Sequence, residues 1–425
     1  MRIFYTVLFF ISLPFILLRL IWRGFRAPAY WQRWPERFGF SPTLSHHHPV
    51  IWIHAVSVGE VEATRPLVKA LQQRFTKHHV LITTMTVTGS DRVKHLYGET
   101  VSHCYLPYDL PFMIQRFLDR IQPRFGIIME TELWPNLLIC CHNKKIPLVL
   151  ANARMSEKSA TRYLRLATFT KKVLSSLALI AAQSEQDRQQ FKRLGADIKT
   201  IHAIGNLKYE IALPNGIKEE AQMMRDMWNK DRPVWVAAST HEGEEELILN
   251  ASRTVRARFP DLLVIIVPRH PERFDRVSAL SQRSGFNTLR RSEHRPCRSD
   301  IDVLVVDTMG ELPLFYSCCD IAFVGGSLVP VGGHNILEPA ALGKTIVTGP
   351  HVFNFSEITQ QFISAQAAVM VDSTQTLADK VSELLANPQQ RKDMGDAALR
   401  LIARSQGASS RLINLINHHI IEHAN

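Results

Sequence analysis

Short, continuously apolar segments recur along this 425-residue chain and alternate with segments of helical pattern. Continuous apolar runs of this length are typical of parallel strands that are buried on both faces. The pattern predicts five strands in each half of the chain, at residues 50–55, 80–84, 125–129, 148–151 and 179–182, and at 234–238, 262–267, 303–306, 321–324 and 345–348. Two such series predict an α/β protein with two Rossmann-like, doubly wound domains.

Turn-forming residues separate the two series. Leu213-Pro214-Asn215-Gly216 and Asp231-Arg232-Pro233 contain residues that interrupt regular structure. We therefore expect a first domain over residues 27–210, a linker over 211–232, a second domain over 233–405 and a C-terminal helix over 406–425. Because ligands of doubly wound sheets bind at the carboxyl ends of the strands, we expect two domains that face each other across a cleft holding the site.

The first 26 residues combine an apolar run with arginines. Residues 3–18 are mostly apolar, and a helix that continues through Trp22 would reach about 30 Å, the thickness of a bilayer's hydrocarbon core. The basic residues of the first 40 positions are Arg2, Arg19, Arg23, Arg26, Arg33 and Arg37, with Glu36 as the acid. Such a collar suits the cytoplasmic face of a membrane with anionic lipids. The segment predicts an anchor over residues 1–26, as a single span or a deep interfacial helix; a buried first helix is the alternative.

Composition argues against several other classes. The net charge is +11, but no aromatic–basic recognition motif accompanies it, so nucleic acid is not an expected partner. The six cysteines contain no Cys-x-x-Cys and predict core positions in a reducing compartment rather than a zinc site. His46-His47-His48 is interpreted as a solvated loop. No Walker lysine motif occurs, and no Gly-x-Gly-x-x-Gly follows the first strand of either series.

A glycine-rich segment follows the strand predicted at 321–324. It runs Val324-Gly325-Gly326-Ser327 and continues to Gly332-Gly333-His334, where the pattern predicts the start of a helix. Glycine allows a backbone to approach phosphate closely, and a helix start attracts anions. Glu338, about one turn into that helix, could accept ribose hydroxyls. The segment predicts a nucleotide site, and a tight strand-to-helix turn is the alternative.

Other polar groups follow strands of the second series. Arg269, after Pro268, suits a phosphate. Met309-Gly310-Glu311 forms a turn that could present backbone groups to a base or ribose. Together with the glycine segment, these residues would lie along one sheet edge. We therefore expect the second domain to bind a nucleotide or a sugar carried on one.

Three charged positions follow strands of the first series. Glu60 begins a helix after Ser57-Val58-Gly59, where a carboxylate with reach and no fixed partner could act as a general base. Alternatively it only stabilises the helix dipole, which would lower its pKa. Glu130 and Glu132 follow the strand at 125–129 and either orient a ligand or belong to a helix start. Lys208 could balance a phosphate or carboxylate, or could be an ordinary surface lysine.

Motifs along almost the whole chain resemble the 3-deoxy-D-manno-oct-2-ulosonic acid (Kdo) transferases of lipopolysaccharide synthesis. The resemblance lies in many separate motifs that occur in one order, and this makes it specific. They are Ala27-Pro28-Ala29-Tyr30, Ser57-Val58-Gly59-Glu60, Tyr105-Leu106-Pro107-Tyr108-Asp109, Met129-Glu130-Thr131-Glu132-Leu133-Trp134-Pro135-Asn136, Ala151-Asn152-Ala153-Arg154, Ser239-Thr240-His241-Glu242-Gly243-Glu244, Pro268-Arg269-His270-Pro271-Glu272-Arg273-Phe274, Gly333-His334-Asn335 and Gly349-Pro350-His351.

The resemblance implies a GT-B glycosyltransferase that works without a metal or other cofactor. It implies CMP-Kdo as donor and the lipid A precursor (lipid IVA) as acceptor, at the cytoplasmic side of the inner membrane. The number of Kdo residues transferred is not encoded in any motif. A GT-B-fold sugar-nucleotide epimerase and a non-catalytic membrane tether that binds nucleotide or lipid are the alternatives.

The resemblance also assigns roles to residues. Glu60 matches the family's proposed base, and Glu130 and Lys208 match positions that stabilise the transition state. The segments expected to bind CMP contain Pro268, Arg269, Met309, Gly310, Glu311, Asn335, Ile336, Leu337 and Glu338. The positions considered for acceptor contacts are His54, Ser57, Gly59 and Arg154.

Overall fold

The computed structural model describes residues 1–42, 48–211 and 213–422, without the side chain of Arg26. Residues 43–47 of the predicted first domain, which include His46 and His47, lie outside the described residues. So do residue 212 of the predicted linker and residues 423–425 of the predicted C-terminal helix. The chain divides into two compact units. Unit 1 comprises Met1–Glu210 and Ser405–Asn425, and unit 2 comprises Ile211–Arg404. Each unit contains a seven-stranded parallel sheet.

The sheet of unit 1 is doubly wound. Its strands are β1 (Val50–His54), β2 (His79–Thr84), β3 (Ser102–Tyr105), β4 (Pro123–Met129), β5 (Leu148–Ala153), β6 (Leu179–Ala182) and β7 (Ile201–Ala203). They lie in the order β3-β2-β1-β4-β5-β6-β7. Strands that follow one another in the chain are added to one side of β1 up to β3 and to its other side from β4 on. The switch point therefore lies between β1 and β4, where such sheets bind ligands.

Helices cover both faces of this sheet. They are α1 (Arg2–Arg26), α2 (Trp34–Arg37), α3 (Val58–Arg74), α4 (Val87–Tyr97), α5 (Pro111–Ile121), α6 (Pro135–Asn143), α7 (Glu157–Leu164), α8 (Ala167–Leu174) and α9 (Glu185–Arg193). Four 3-10 segments connect them, at Pro28–Trp31, Gly98–Thr100, Ile198–Thr200 and Leu207–Tyr209. One apolar cluster includes Trp52 and Phe117 and another includes Ile53 and Phe125, so β1 and β4 are packed on both sides.

The sheet of unit 2 is also doubly wound, and its strand order differs from that of unit 1 in the position of one strand. Its strands are β8 (Val234–Thr240), β9 (Leu263–Pro268), β10 (Thr288–Arg290), β11 (Val303–Val305), β12 (Ile321–Val324), β13 (Thr345–Thr348) and β14 (Ala368–Met370). They lie in the order β10-β11-β9-β8-β12-β13-β14. The winding reverses between β8 and β12, so the expected ligand edge lies after these two strands.

The helices of unit 2 begin within the predicted linker. They are α10 (Ile217–Met227), α11 (Glu244–Arg256), α12 (Phe274–Arg283), α13 (Leu312–Cys318), α14 (Leu337–Ala341), α15 (Ser356–Ser364), α16 (Thr374–Ala386) and α17 (Pro388–Ala403). The 3-10 segments are Pro271–Arg273 and Arg291–Glu293. The linker prediction for 211–232 is wrong for α10, because Ile217, Ala221 and Met224 are buried in the core of unit 2. Their helical spacing gives α10 an apolar face that must be covered.

The C-terminal segment belongs to unit 1. Helix α18 (Ala408–Ile416) continues into a π-helical turn at Asn417–Ile421. Leu412, Ile413 and Ile416 are buried in the same cluster as Leu67 and Val68 of α3. The backbone N–H of Ser409 donates a 2.9 Å hydrogen bond to Glu210. The end of the chain therefore completes one face of the first sheet.

Helix α1 has one face against unit 1 and one face uncovered. Residues Arg2–Phe25 are long and apolar enough to cross a membrane, by length and composition alone. Leu13 is buried in a small cluster with Tyr108, Leu110 and Met113. The six cysteines, predicted to be core residues, are all buried and unpaired.

Candidate active site

The two predicted acids of unit 1 follow the two strands at its switch point. Glu60 comes six residues after the end of β1, and Glu130 immediately follows β4. Strands β1 and β4 are hydrogen-bonded neighbours, with Ile53 opposite Ile127. Because parallel strands end at the same edge, this pairing brings both acids to the edge where ligands bind.

Glu60 is held by local hydrogen bonds. Its side chain is only 7% exposed. The backbone N–H of Val56 donates to Oε2 at 2.9 Å, and the Ser57 hydroxyl donates to Oε1 at 3.0 Å. Ser57 also caps α3. The expectation of a carboxylate with no fixed partner was therefore wrong, since the turn before α3 fixes both oxygens in place.

The pKa of Glu60 is raised rather than lowered. Burial is the main cause and raises it to about 7, and the charges of Glu130 and Glu132 act in the same direction. The hydrogen bonds from Val56 and Ser57 oppose this but do not cancel it. Desolvation outweighs the helix dipole considered from the sequence because the carboxyl group is withdrawn from water. A carboxyl group that titrates near neutral pH can accept a proton.

Glu130 and Lys208 form an ion pair close to this edge. Lys208 Nζ lies 2.5 Å from Glu130 Oε1, and both side chains are partly buried. Glu130 has a backbone φ of +57°, which is uncommon for a residue with a side chain. Its N–H donates to the carbonyl of Ala151 at 2.8 Å, which holds the strained residue at the end of β4. Lys208 is therefore not an ordinary surface lysine.

A buried amide network positions the segment that carries Lys208. Asn152 is completely buried and accepts the N–H of Leu207 at 2.9 Å. Gln183 donates to the carbonyl of Asn152 at 3.0 Å and accepts from Asn206 at 3.1 Å. Asn206 in turn accepts the N–H of Lys208 at 2.9 Å. The strands β5 and β6 thus fix the backbone next to the lysine.

The four positions considered for acceptor contacts differ in accessibility. His54 was wrong as an acceptor contact: it is fully buried, its Nδ1 lies 2.9 Å from the Thr83 hydroxyl, and burial lowers its pKa to about 4. Ser57 is occupied with Glu60. Gly59 faces open space, since an added Cβ would meet no atom within 4 Å. Arg154 is exposed, and its carbonyl accepts from the Thr131 hydroxyl at 2.8 Å.

In unit 2, a carboxylate of the protein itself occupies the glycine segment. Glu244 is completely buried and accepts the N–H of Gly326 at 2.7 Å, of Ser327 at 3.1 Å and of Leu328 at 3.0 Å. Glu244 Oε2 also accepts a hydrogen bond from the N–H of His241 at 3.2 Å. The amides expected to bind a phosphate are therefore already satisfied. Glu244 starts α11, so it joins the ends of β8 and β12 across the switch point.

The helix after the glycine segment starts later than predicted. Gly332 and Gly333 have φ of +113° and +73°, and α14 begins only at Leu337. Asn335 Oδ1 accepts the N–H of Leu337 at 3.1 Å and so sets that start. Ile336 and Leu337 are buried. Of the predicted segment, Asn335 and Glu338 keep partly exposed side chains.

The other predicted donor residues remain at the carboxyl edge of the sheet. Pro268 ends β9, and Arg269 is exposed, with its N–H bonded to the Thr240 carbonyl at 3.1 Å. Met309 is 64% exposed and Gly310 has a φ of +88° with open space around it. Glu311 is already paired with Arg291 at 2.8 Å. At this turn, the exposed groups available for a ligand are thus the Met309 side chain and the backbone at Gly310.

Sequence reasoning missed a histidine cluster at the same edge. His241 and His334 stack with their planes 7° apart, and their Nε2 atoms lie 2.8 Å from each other. His270 contacts His241 edge to face, with 5.4 Å between ring centroids. Burial lowers the pKa of His334 to about 4. The signal available was that His241 follows β8 and His334 follows β12, which are paired strands.

Within the described residues there is no group of three or more His, Cys, Asp or Glu side chains that could hold a metal ion. Asp300 and Asp302 have the spacing of a metal-binding acidic pair, but they precede β11 and so lie at the opposite edge of the sheet. Asp302 is paired with Arg256 at 2.5 Å.

Comparison with known proteins identifies the family. The family model "3-Deoxy-D-manno-octulosonic-acid transferase (kdotransferase)" matches residues 32–211, and "Glycosyl transferases group 1" matches residues 234–400. A 3-deoxy-D-manno-octulosonic acid transferase from Haemophilus influenzae is 42% identical over 99% of this chain and 99% of its own. The chain belongs to the Kdo transferase family. A family member from Bordetella pertussis is 36% identical, over 95% of this chain and 96% of its own.

A solved structure shows the same fold across both units. MurG from Acinetobacter baumannii is similar with a TM-score of 0.54 and 11% identity, covering 87% of this chain and 99% of that one. The predicted GT-B fold class, with two doubly wound α/β domains, is confirmed. As a Kdo transferase, the protein is a glycosyltransferase of lipopolysaccharide biosynthesis.

Proposed function

We propose that this Kdo transferase moves Kdo from CMP-Kdo to the lipid A precursor, lipid IVA, with inversion at the anomeric carbon. The observation that carries the proposal is Glu60, a fixed carboxyl group whose pKa of about 7 suits a base at neutral pH. Unit 1 supplies this base and receives the acceptor, and unit 2 binds the donor.

The reaction step needs one proton acceptor and one leaving group. A hydroxyl of lipid IVA gives its proton to Glu60, and its oxygen forms the new bond to the anomeric carbon of Kdo. The bond from that carbon to the phosphate oxygen breaks, and CMP leaves with the electron pair. Attack on the face opposite the phosphate inverts the carbon. A positioned base of this kind contributes about 10²–10⁴ in rate.

Positive charge offsets the negative charge of the departing phosphate. Lys208 is held by Glu130 at 2.5 Å and by the amide network behind it. Arg269 is exposed at the donor edge and forms no ion pair among the described residues. A fixed charge such as that of Lys208 stabilises a transition state without reorganising. No metal or other cofactor is part of the proposed step.

Groups along the edge of unit 2 would recognise CMP. Glu338 carries a carboxylate, a group that accepts hydrogen bonds from ribose hydroxyls, and Asn335 lies just before the start of α14. Met309 and Gly310 lie beside the base or ribose, with Gly310 open to close approach. Glu311 acts through its ion pair with Arg291, which fixes the turn. Because Glu244 occupies the amides of the glycine segment, these groups bind the donor in place of that segment.

Mass spectrometry of a tetraacyl lipid A precursor, incubated with the protein and CMP-Kdo, tests the proposal. We expect the lipid mass to increase by whole Kdo units, and the number of units gives the number of sugars transferred. Release of CMP without a glycolipid product would contradict the proposal that lipid IVA is the acceptor. Tight CMP binding without any turnover would instead support a non-catalytic membrane tether. The Glu60→Gln variant is the matched control for enzyme-dependent product.

A further inference from the structure

Two histidines at the carboxyl edge of unit 2, His241 and His334, form a hydrogen-bonded histidine pair. His241 follows β8, His334 follows β12 and the glycine segment, and their Nε2 atoms lie 2.8 Å apart. The ring planes are 7° apart and the ring centroids 5.0 Å apart. Because the two nitrogens are closer than the centroids, the rings meet at their Nε2 atoms. Neither histidine belongs to the segments proposed above to recognise CMP.

The glycine segment makes room for the histidine pair. A Cβ atom added to Gly326 would lie 3.0 Å from His334 Cδ2 and 3.3 Å from His241 Cδ2. Gly326 has a φ of +66°, and its N–H is held by the carboxylate of Glu244 at 2.7 Å. Both rings therefore pack against ordered backbone, at a position where a side chain is missing.

Both histidines are neutral near pH 7. Burial is the main cause and lowers the pKa of His334 to about 4, and burial also lowers the pKa of His241. The positive charges of Arg269 and His270 act in the same direction on both rings. The histidine pair therefore contributes hydrogen-bonding groups to this edge rather than charge.

A hydrogen bond between two neutral imidazoles determines which nitrogens carry hydrogen. One Nε2 atom carries a hydrogen and donates it, and the other Nε2 atom accepts. The ring that accepts must then carry its own hydrogen on Nδ1. The histidine pair thus offers one Nδ1–H donor and one Nδ1 acceptor. Among the described residues nothing bonds to either Nδ1 atom, and neither is one of the buried polar atoms without a partner, so both reach the surface.

The charges around the histidine pair favour an anion as ligand. Arg269 is exposed and forms no ion pair among the described residues, whereas Arg273 is paired with Glu245 at 2.6 Å. An N–H donor that shares an edge with an unneutralised arginine suits an oxyanion, because hydrogen bonds to charged groups are stronger than those between neutral groups. The proposed donor carries such a group, the phosphate of CMP.

We propose that the histidine pair binds the donor phosphate together with Arg269, through the Nδ1–H group that the hydrogen bond between His241 and His334 fixes. The role of the pair rests on the proposed function, because CMP-Kdo is the donor in both. It adds two residues that determine specificity for a phosphorylated nucleoside. Each is needed for a different reason: one ring donates to the phosphate, and the other holds the donating ring in the required tautomer.

Calorimetric titration of the full-length protein with CMP and with cytidine tests the contact. In His334→Leu and in His241→Leu, we expect the Kd for CMP to rise about tenfold, the loss expected for one hydrogen bond to a charged group. The Kd for cytidine, which lacks the phosphate, should stay the same. His95→Leu removes an exposed histidine of unit 1 and is the control. Equal losses for CMP and cytidine would show that the histidines only support the fold and would overturn the proposal.

Combining the two substitutions tests whether the histidines act as one unit. Either substitution alone removes the hydrogen bond that fixes the tautomer. The His241→Leu/His334→Leu variant should therefore bind CMP hardly more weakly than each single variant, as expected for residues that act together. If the two losses multiply in the double variant, the histidines act independently and the pair is not the binding unit.

Nitrogen NMR of the parent protein, with ¹⁵N-labelled histidine, tests the pair without any substitution. We expect a scalar coupling between the two Nε2 nuclei across the hydrogen bond, and one Nδ1 signal typical of a donor beside one typical of an acceptor. CMP should shift the donor signal and leave the signals of His95 unchanged. A donor signal that does not respond to saturating CMP would exclude the contact, even where the variants fail to fold.

The histidine pair and the proposed function can fail separately. A parent protein that binds no CMP would overturn both. Normal CMP binding and Kdo transfer by the parent protein, with the same Kd for CMP in both histidine variants, would overturn only the role of the pair. The mass-spectrometric transfer assay described above distinguishes these two results.

Discussion

The carboxylate of Glu244 accepts a hydrogen bond of 2.7 Å from the backbone N–H of Gly326. The sequence pattern predicts that the glycine segment binds an anion, and the anion that it binds is a carboxylate of the protein itself. Two more amides, of Ser327 and Leu328, bond to the same side chain. This side chain therefore connects the ends of β8 and β12. Under the proposed function, other residues of unit 2 would recognise the donor phosphate.

Replacing Glu244 should destabilise unit 2. In Glu244→Ala, the N–H groups of Gly326, Ser327 and Leu328 lose their acceptor, and we expect the free energy of unfolding to fall by about 3 kcal/mol or more. Chemical denaturation measures this change. Glu246→Ala, an exposed position on the same helix, should change it by less than about 0.5 kcal/mol. Equal stability of the two variants would show that Glu244 does not hold the segment.

The Glu60→Gln variant should fold and lose activity. Glutamine keeps the size of the side chain and an oxygen for the Val56 N–H, but it cannot take a proton. We expect kcat to fall about 10²–10⁴-fold in the mass-spectrometric transfer assay, with CMP binding unchanged. Glu62→Gln, two residues along α3, is the control and should keep its activity. Near-normal turnover of Glu60→Gln would remove Glu60 from the role of base.

Activity should decline on the acid side of neutrality. Burial raises the pKa of Glu60 to about 7, so the carboxylate form that accepts a proton is lost as the pH falls through that value. Between about one pH unit above that value and one below it, kcat/KM should fall about tenfold, because the pH dependence of kcat/KM reports the pKa of an essential base in the free enzyme. A pH–rate profile measures this. A profile that stays flat down to pH values near 5 would exclude this carboxyl group as the base.

Glu130 and Lys208 should act as a coupled pair. A double-mutant cycle of Glu130→Gln and Lys208→Met, measured on kcat/KM, isolates their interaction from their separate effects. Because the two atoms are 2.5 Å apart and partly buried, we expect a coupling energy of about 0.5–3 kcal/mol. Strict additivity of the two substitutions would mean that the ion pair has no part in the reaction.

Enlarging Gly59 should affect the acceptor and leave the fold intact. An added Cβ meets no atom within 4 Å, so Gly59→Leu adds bulk beside Glu60 without an internal clash. We expect the KM for the lipid acceptor to rise about tenfold or more while the melting temperature stays the same or rises. Gly59→Ala is the matched control and should behave nearly as the parent protein. An unchanged acceptor KM in Gly59→Leu would place the acceptor elsewhere.

The structure places Glu60 and Glu130 at the carboxyl edge of the first sheet, as the sequence predicts, but the environments of these side chains depend on folding. Glu60 and Glu130 follow β1 and β4, which the sequence predicts as strands, and these strands are neighbours only in the folded sheet. The pKa of Glu60 depends mainly on burial of the carboxyl group in the folded unit, so the helix-dipole argument predicted the wrong direction. The pairing of His241 with His334 likewise joins residues 93 positions apart.

The strands show which elements of the fold could be predicted from the sequence alone. All ten predicted strands are present, with ends that differ by a few residues at most. The four unpredicted strands are β3, β7, β10 and β14, and these are the four edge strands of the two sheets. An interior strand is buried on both faces and must be continuously apolar, so its own sequence reveals it. An edge strand such as Thr288–Arg290 is short and partly exposed, so only its neighbour makes it a strand.

The sequence by itself therefore determined the two doubly wound domains, their interior strands, the family and the positions of the candidate catalytic acids. Only the tertiary structure decided which groups are free to bind a ligand. Hydrophobic patterning is local and repeats along the chain, so the order of the residues is enough to predict it. Desolvation, ion pairing and occupation of backbone N–H groups arise between residues far apart in the chain, as between Glu244 and Gly326 or between Tyr5 and Asp109.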